Sequence, residues 1–194
     1  MKKMVLWLLV LLFALLLTGC GEVELSLPQD KSEPQAESIP LEQKQELLID
    51  IADGYLTGFP ELIVDKACFL GKAVPLYRLT TDGLHPGDYE WYPVFSGERM
   101  VMNVTGFTSP EGEYITGAGK GYADEIQACI ALRPEEPLAL VYVKEGLCLV
   151  YEQGGIELIE VPVIGNAGSV ADVDAYRGKM QFACFEKDVP FQLP

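Results

Sequence analysis

The stretch "LALVYVKEGLCLVYEQGGIELIEV", Leu138–Val161, decides the fold class. It holds three runs of strand-forming residues, Leu138–Val143, Leu147–Glu152 and Ile156–Val161. Only "KEG" and "QGG" separate them. Glycine at such tips supplies the positive φ that short hairpin turns need. The stretch therefore reads as a three-stranded meander.

Upstream lies "GYADEIQACIALRP". Its Tyr122, Ile126, Cys129 and Ile130 fall at i, i+4, i+7 and i+8, one apolar helical stripe ended by Pro134. Further upstream are strand patterns at Ala73–Thr80, Tyr89–Phe95, Arg99–Phe107 and Tyr114–Thr116. "TDGLHPGD", Thr81–Asp88, reads as a loop, and "SGE" as a turn. "FPELIVDKACFLG" reads as a short helix and then a strand.

Pro40 opens an earlier helix, a position Pro tolerates because the first turn needs no N–H. Leu48, Ile51, Ala52, Tyr55 and Leu56 form its apolar stripe, and the helix frays at Gly54 or ends by Gly58. Downstream of the meander, "GNAGSVADVDAYRGK" reads as a loop or short helical turn, and "MQFACFE" as a last strand. The order is helix, strands, helix, strands. This implies an α+β fold, mainly an antiparallel β-sheet with one or two helices packed on one face.

The 194-residue chain carries a formal charge of −15. That excludes a nucleic-acid partner, because phosphate contact needs clustered Lys and Arg. It also excludes an electrostatic grip on anionic lipid. With one histidine, five cysteines and no CxxC spacing, the sequence calls for no metal and no cofactor.

The N-terminus is a different kind of segment. Lys2 and Lys3 precede an apolar run from Met4 to Leu17, too short to cross a bilayer as a helix. A basic start, a short apolar core and a small-residue exit make a secretory signal peptide. The exit Leu17-Thr18-Gly19-Cys20 resembles the lipobox of bacterial lipoproteins. The resemblance covers residues 1–21. It implies cleavage between Gly19 and Cys20 and a diacylglyceryl group on the Cys20 sulfur. Two or more acyl chains anchor stably where one does not.

The expected location is thus the extracytoplasmic face of a cell membrane, held by lipid on Cys20. Residues 1–19 are the expected signal peptide and residues 20–39 a tether rich in Glu, Ser, Gln and Pro. Residues 40–194 are one expected domain.

Four cysteines remain: Cys68, Cys129, Cys148 and Cys184. Export permits disulfides, and apolar neighbours suit buried free thiols equally. Among candidate sites, the aromatic run Tyr89, Trp91, Tyr92 and Phe95 is the expected ligand surface if one of its faces is exposed. As a strand it places Tyr89, Trp91, Pro93 and Phe95 on one face and Tyr92 on the other.

Other motifs carry less. "GAGKG", Gly117–Gly121, matches neither the phosphate-binding nor the dinucleotide pattern, and reads as a flexible lead-in to the helix. His85 lies in a loop without a nucleophile motif beside it, and Ser96 lies in a turn. Asp172 and Asp174 lack the spacing of a calcium loop. "NVT" at Asn103 matches the glycosylation acceptor in spelling only.

No catalytic constellation stands out. The expected function is non-enzymatic binding of an envelope protein or a small ligand by a membrane-anchored domain. Two alternatives stay open. "LGKAVPLYRL" followed by "YPVF" faintly resembles small α+β segments beside secreted bacterial proteases, which implies an inhibitor-like module. The abundant carboxylates leave room for a hydrolase.

Overall fold

The computed structural model describes residues 39–161 and 168–193. The signal segment, the lipobox with Gly19 and Cys20, and all but the last residue of the tether lie outside these residues.

Helix α1 spans Leu41–Gly58 and buries Leu48, Ala52 and Leu56, one residue per turn. Strands β1 (Ala67–Gly71), β2 (Leu76–Thr80), β3 (Gly83–Pro86), β4 (Glu90–Ser96), β5 (Arg99–Thr108) and β6 (Tyr114–Gly119) follow. Helix α2 spans Ala123–Leu132 and buries Ala123, Ile126 and Ile130. The meander follows as β7 (Leu138–Val143), β8 (Gly146–Tyr151) and β9 (Ile156–Glu160). A 3-10 segment, Val170–Lys179, precedes β10 (Lys187–Gln192).

The α+β class and the antiparallel pairing stand. The strands, however, form two sheets of five, in the orders β10-β1-β4-β5-β6 and β3-β2-β7-β8-β9. Every pairing but one is antiparallel, the exception being β2 against β7. The two helices take different faces of the first sheet. α1 packs on Cys68, Leu70, Tyr92, Val94, Met102 and Val104. α2 joins Trp91, Phe95 and Met100 of the opposite face, together with Leu140, Leu149 and Tyr151 of the second sheet. The 3-10 segment brings Val173 to the far side of the second sheet, beside Val141, Cys148 and Val150.

A bulge serves this division. The β4–β5 register shifts between Val94 and Phe95, leaving Val101 as the extra residue. Met100 therefore shares a face with Phe95, and Met102 with Val94. The inserted residue thus sets Met100 and Met102, two positions apart, on opposite faces of the sheet.

Three local expectations are corrected. Thr81–Asp88 is not a loop throughout, because Gly83–Pro86 pairs with β2 as an edge strand. So short a run shows no alternation, and its partner strand defines it. "MQFACFE" is not the last strand, since only Ala183 bridges to Leu138. The last strand is "KDVPFQ", at the sheet edge where Pro190 sacrifices no interior ladder bond. Finally, Gly117–Gly119 pairs with β5 and is no flexible lead-in.

Among the described residues the four cysteines are free, Cys68 and Cys148 being fully buried. Burial pushes the Cys148 thiol up to about 12 and raises those of Cys68 and Cys129. Such thiols are unreactive. No helix of the described residues is long and apolar enough to cross a membrane.

Candidate functional site

The aromatic run divides as its alternation implies, Trp91 and Phe95 to one core and Tyr92 to the other. It does not form an exposed surface, because β4 is the central strand of its sheet and both faces are covered. Trp91, Tyr92 and Phe95 are 4, 7 and 6% exposed. The reading of these three as a ligand surface is therefore corrected. Each belongs to the core, and fully burying a large side chain contributes about 1.5–3 kcal/mol.

Tyr89 differs from them. It precedes β4, is half-buried, and sets its hydroxyl 3.4 Å from that of Tyr142 in the second sheet. It also lines a concavity of about 270 Å³, with Gly87, Asp88, Glu90, Gly106, Phe107, Thr108 and Tyr114. The start of β4, the end of β5 and the start of β6 meet there. In register, Glu90 faces Gly106, and Thr108 faces Tyr114.

Glu90 organises this place. Its carboxylate accepts hydrogen bonds from the Tyr114 hydroxyl at 2.7 Å, the Tyr92 hydroxyl at 3.1 Å and the Lys44 ammonium at 3.0 Å. Lys44 comes from α1 and also stands 5.0 Å above the Tyr114 ring. Burial pushes the Glu90 carboxyl up, but the bonds from Tyr114 and Lys44 outweigh it, and its pKa falls below the usual value. The phenols of Tyr92 and Tyr114 are held well above theirs, by burial first and then by the neighbouring carboxylate. The result is a fixed anion clamped by three donors.

Gly106 makes the clamp fit. A Cβ there would collide with the Tyr114 phenol. Beside Glu90, Asp88 is gripped by both terminal nitrogens of Arg78, at 3.0 and 3.3 Å. Phe107 presents a ring 40% exposed, and its register partner Ile115 is 42% exposed.

The remaining sequence candidates are structural. Ser96 is buried, donates to the Asp65 carbonyl at 2.6 Å and accepts from the N–H groups of Val64 and Asp65. His85 lies in β3 opposite Arg78, with Nε2 3.4 Å from Asp82. Asp172 completes a capping box with Ser169, while Asp174 pairs with Arg177. The two carboxylates thus do separate work. The Asn103 side chain, with its amide oriented to satisfy both ends, donates to the Gly119 carbonyl and accepts from the Trp91 indole. It is an internal strut. Among the described residues no three His, Cys, Asp or Glu side chains converge to hold a metal.

Sequence reasoning pointed to Tyr89 and missed Glu90, Tyr114, Lys44 and Phe107. Lys44 and Tyr114 lie 46 and 24 residues from Glu90 along the chain. No local pattern joins residues so far apart.

No family model matches the chain. No curated protein matches it either.

Proposed function

We propose that this chain is a lipid-anchored extracytoplasmic lipoprotein whose folded domain binds a partner at the concavity around Glu90 and Phe107. The observation that carries the binding reading is the clamped carboxylate in a concavity that the half-exposed Phe107 also lines. Recognition surfaces combine apolar contact with a few fixed polar groups. Here the carboxylate is immobilised by Lys44, Tyr92 and Tyr114 before any partner arrives, so little ordering entropy is lost on association.

The anchoring half rests on Leu17-Thr18-Gly19-Cys20. Its test is Cys20→Ser. The variant protein is expected in the soluble fraction, and its retention on membranes would sink the anchor.

The binding half is tested by crosslinking in the native cells, followed by mass spectrometry, with the wild type and Phe107→Ala side by side. A partner captured by the wild type and lost in the variant is expected. Equal capture by both would remove the concavity from the reading.

The hydrolase alternative gains one observation, since Asp88 and Glu90 both line the concavity. Carboxylate pairs in hydrolases keep one member protonated at working pH by raising its pKa. Glu90 is shifted the opposite way, and Asp88 is taken up in a two-pronged ion pair with Arg78, so neither carboxylate is set up as the protonated member. The arrangement therefore favours binding over proton transfer.

A further inference from the structure

The two sheets end in four edge strands, β10, β6, β3 and β9. Exposed edges invite pairing with foreign strands, and proteins blunt them with charge, proline or shortness. β10 carries Lys187, Asp188 and Pro190, and β9 carries Glu157 and Glu160. β3 is four residues long and ends at Pro86. β6, "YITGAG", has no charge and no proline over six residues. All six pair with β5 on one side, and among the described residues no strand pairs on the other. Helix α1 covers one face of this strand, taking Tyr114 and Ala118 into its cluster and accepting the Lys120 N–H at the Tyr55 hydroxyl, so another backbone approaches along the outer edge, where Gly117, Ala118 and Gly119 add almost no side chain.

The concavity lies at the Tyr114 end of this edge. Charges there are unbalanced. Asp88, Glu90, Glu111 and Glu113 belong to this end or to the turn before β6, against Arg78 and Lys44. That is four carboxylates against two cations. At the other end Lys120 is already paired with Asp124 at 2.8 Å. Lys44 over the Tyr114 ring shows that the site accommodates a cation on an aromatic face. The exposed Phe107 ring offers a second such face.

We infer that β6 is a docking edge for an extended, basic segment of a partner protein. The segment adds a sixth strand to the first sheet and places a Lys or Arg side chain in the concavity. Main-chain bonds along β6 give affinity, and the concavity gives selectivity. A second copy of the chain is a poor occupant, because each copy carries −15 and like charges oppose close approach. This inference rests on the concavity being a binding site.

The test uses the full chain in detergent micelles. The probes are fluorescent peptides of about ten residues, Thr and Val alternating, with one Arg at each position in turn. A matched set carries Glu in place of Arg. At least one Arg peptide is expected to bind about tenfold or more tightly than its Glu counterpart, a difference of about 1.4 kcal/mol.

Ile115→Lys places a charge on the edge and is expected to weaken that binding about tenfold, a factor of the same size. Ile115→Thr, neutral and equally tolerable at an exposed position, is expected to leave it intact. Bound peptide should also slow hydrogen exchange of amides in β6. Equal binding of Arg and Glu peptides, no binding by any peptide, or indifference to Ile115→Lys would overturn the inference. So would a concentration-dependent dimer abolished by Ile115→Lys, which would make a second copy the occupant. If the peptides fail while Phe107-dependent crosslinking persists, only strand addition falls. If both fail, the binding reading falls with it.

Discussion

β4 and β6 belong to the same sheet and invert what their sequences suggest. "YEWYPVF" looks like a sticky surface, yet β4 is the middle strand and Trp91, Tyr92 and Phe95 fill two cores. "YITGAG" reads as a strand only to Thr116 and then as a flexible lead-in, yet β6 is an ordered edge throughout and lines the concavity through Tyr114. The lesson is that strand order, not side-chain stickiness, decides which aromatic residues meet solvent. A central strand spends both faces on packing, and an edge strand keeps one backbone row free.

The contrast can be broken most forcefully at Trp91. Trp91→Ala is expected to cost about 3–5 kcal/mol, as removal of a buried large aromatic does. Denaturant unfolding measures it, and a loss below about 1 kcal/mol would contradict the core role of β4. A smaller effect is expected where β5 meets β6. Gly106→Ala drives a methyl into the Tyr114 phenol. The overpacking is expected to cost about 1–3 kcal/mol and to loosen the Glu90 clamp. Near-neutral behaviour would mean that Tyr114 is free to move.

Glu90→Gln is the next step down. It removes the charge while nearly keeping the shape, and a loss of about 1 kcal/mol is expected for so partly exposed a group. Its pH dependence has a definite sign. The folded-state pKa of Glu90 lies below the unfolded value of about 4.3. The charge therefore stabilises above that pH, and the contribution disappears as pH falls through the folded value. Thermal midpoints of wild type and Glu90→Gln should differ at neutral pH and converge in acid. A gap that persists unchanged in acid would show that the lost energy is not electrostatic. The smallest effect is expected at the edge, where Ile115→Thr should change stability by less than about 0.5 kcal/mol.

Legibility followed the range of the interactions. The meander was readable because its strands are joined by Gly-containing tips, and each strand pairs with its sequence neighbour. α1 and α2 were readable because Leu48, Ala52 and Leu56, or Ile126 and Ile130, recur with the helical period. β3 and β10 were not readable. Each is defined by its partner, β2 or β1, and β10 carries a proline that argues locally against a strand. Within the concavity only Tyr89 stood out, because it sits in a conspicuous aromatic run.

By itself, the sequence determined the α+β class, the helices, most strands and a strongly acidic net charge. These follow from periodicity, turn chemistry and charge count, which act over a few residues or over the whole chain. Tertiary structure alone decided that the strands split into two sheets, that β2 runs parallel to β7, and that β4 lies inside while β6 lies at the edge. It also brought Lys44, Glu90 and Tyr114 into contact. The reason is physical. A strand's own alternation specifies two faces but not the neighbour that will cover each one, and only long-range pairing supplies that neighbour.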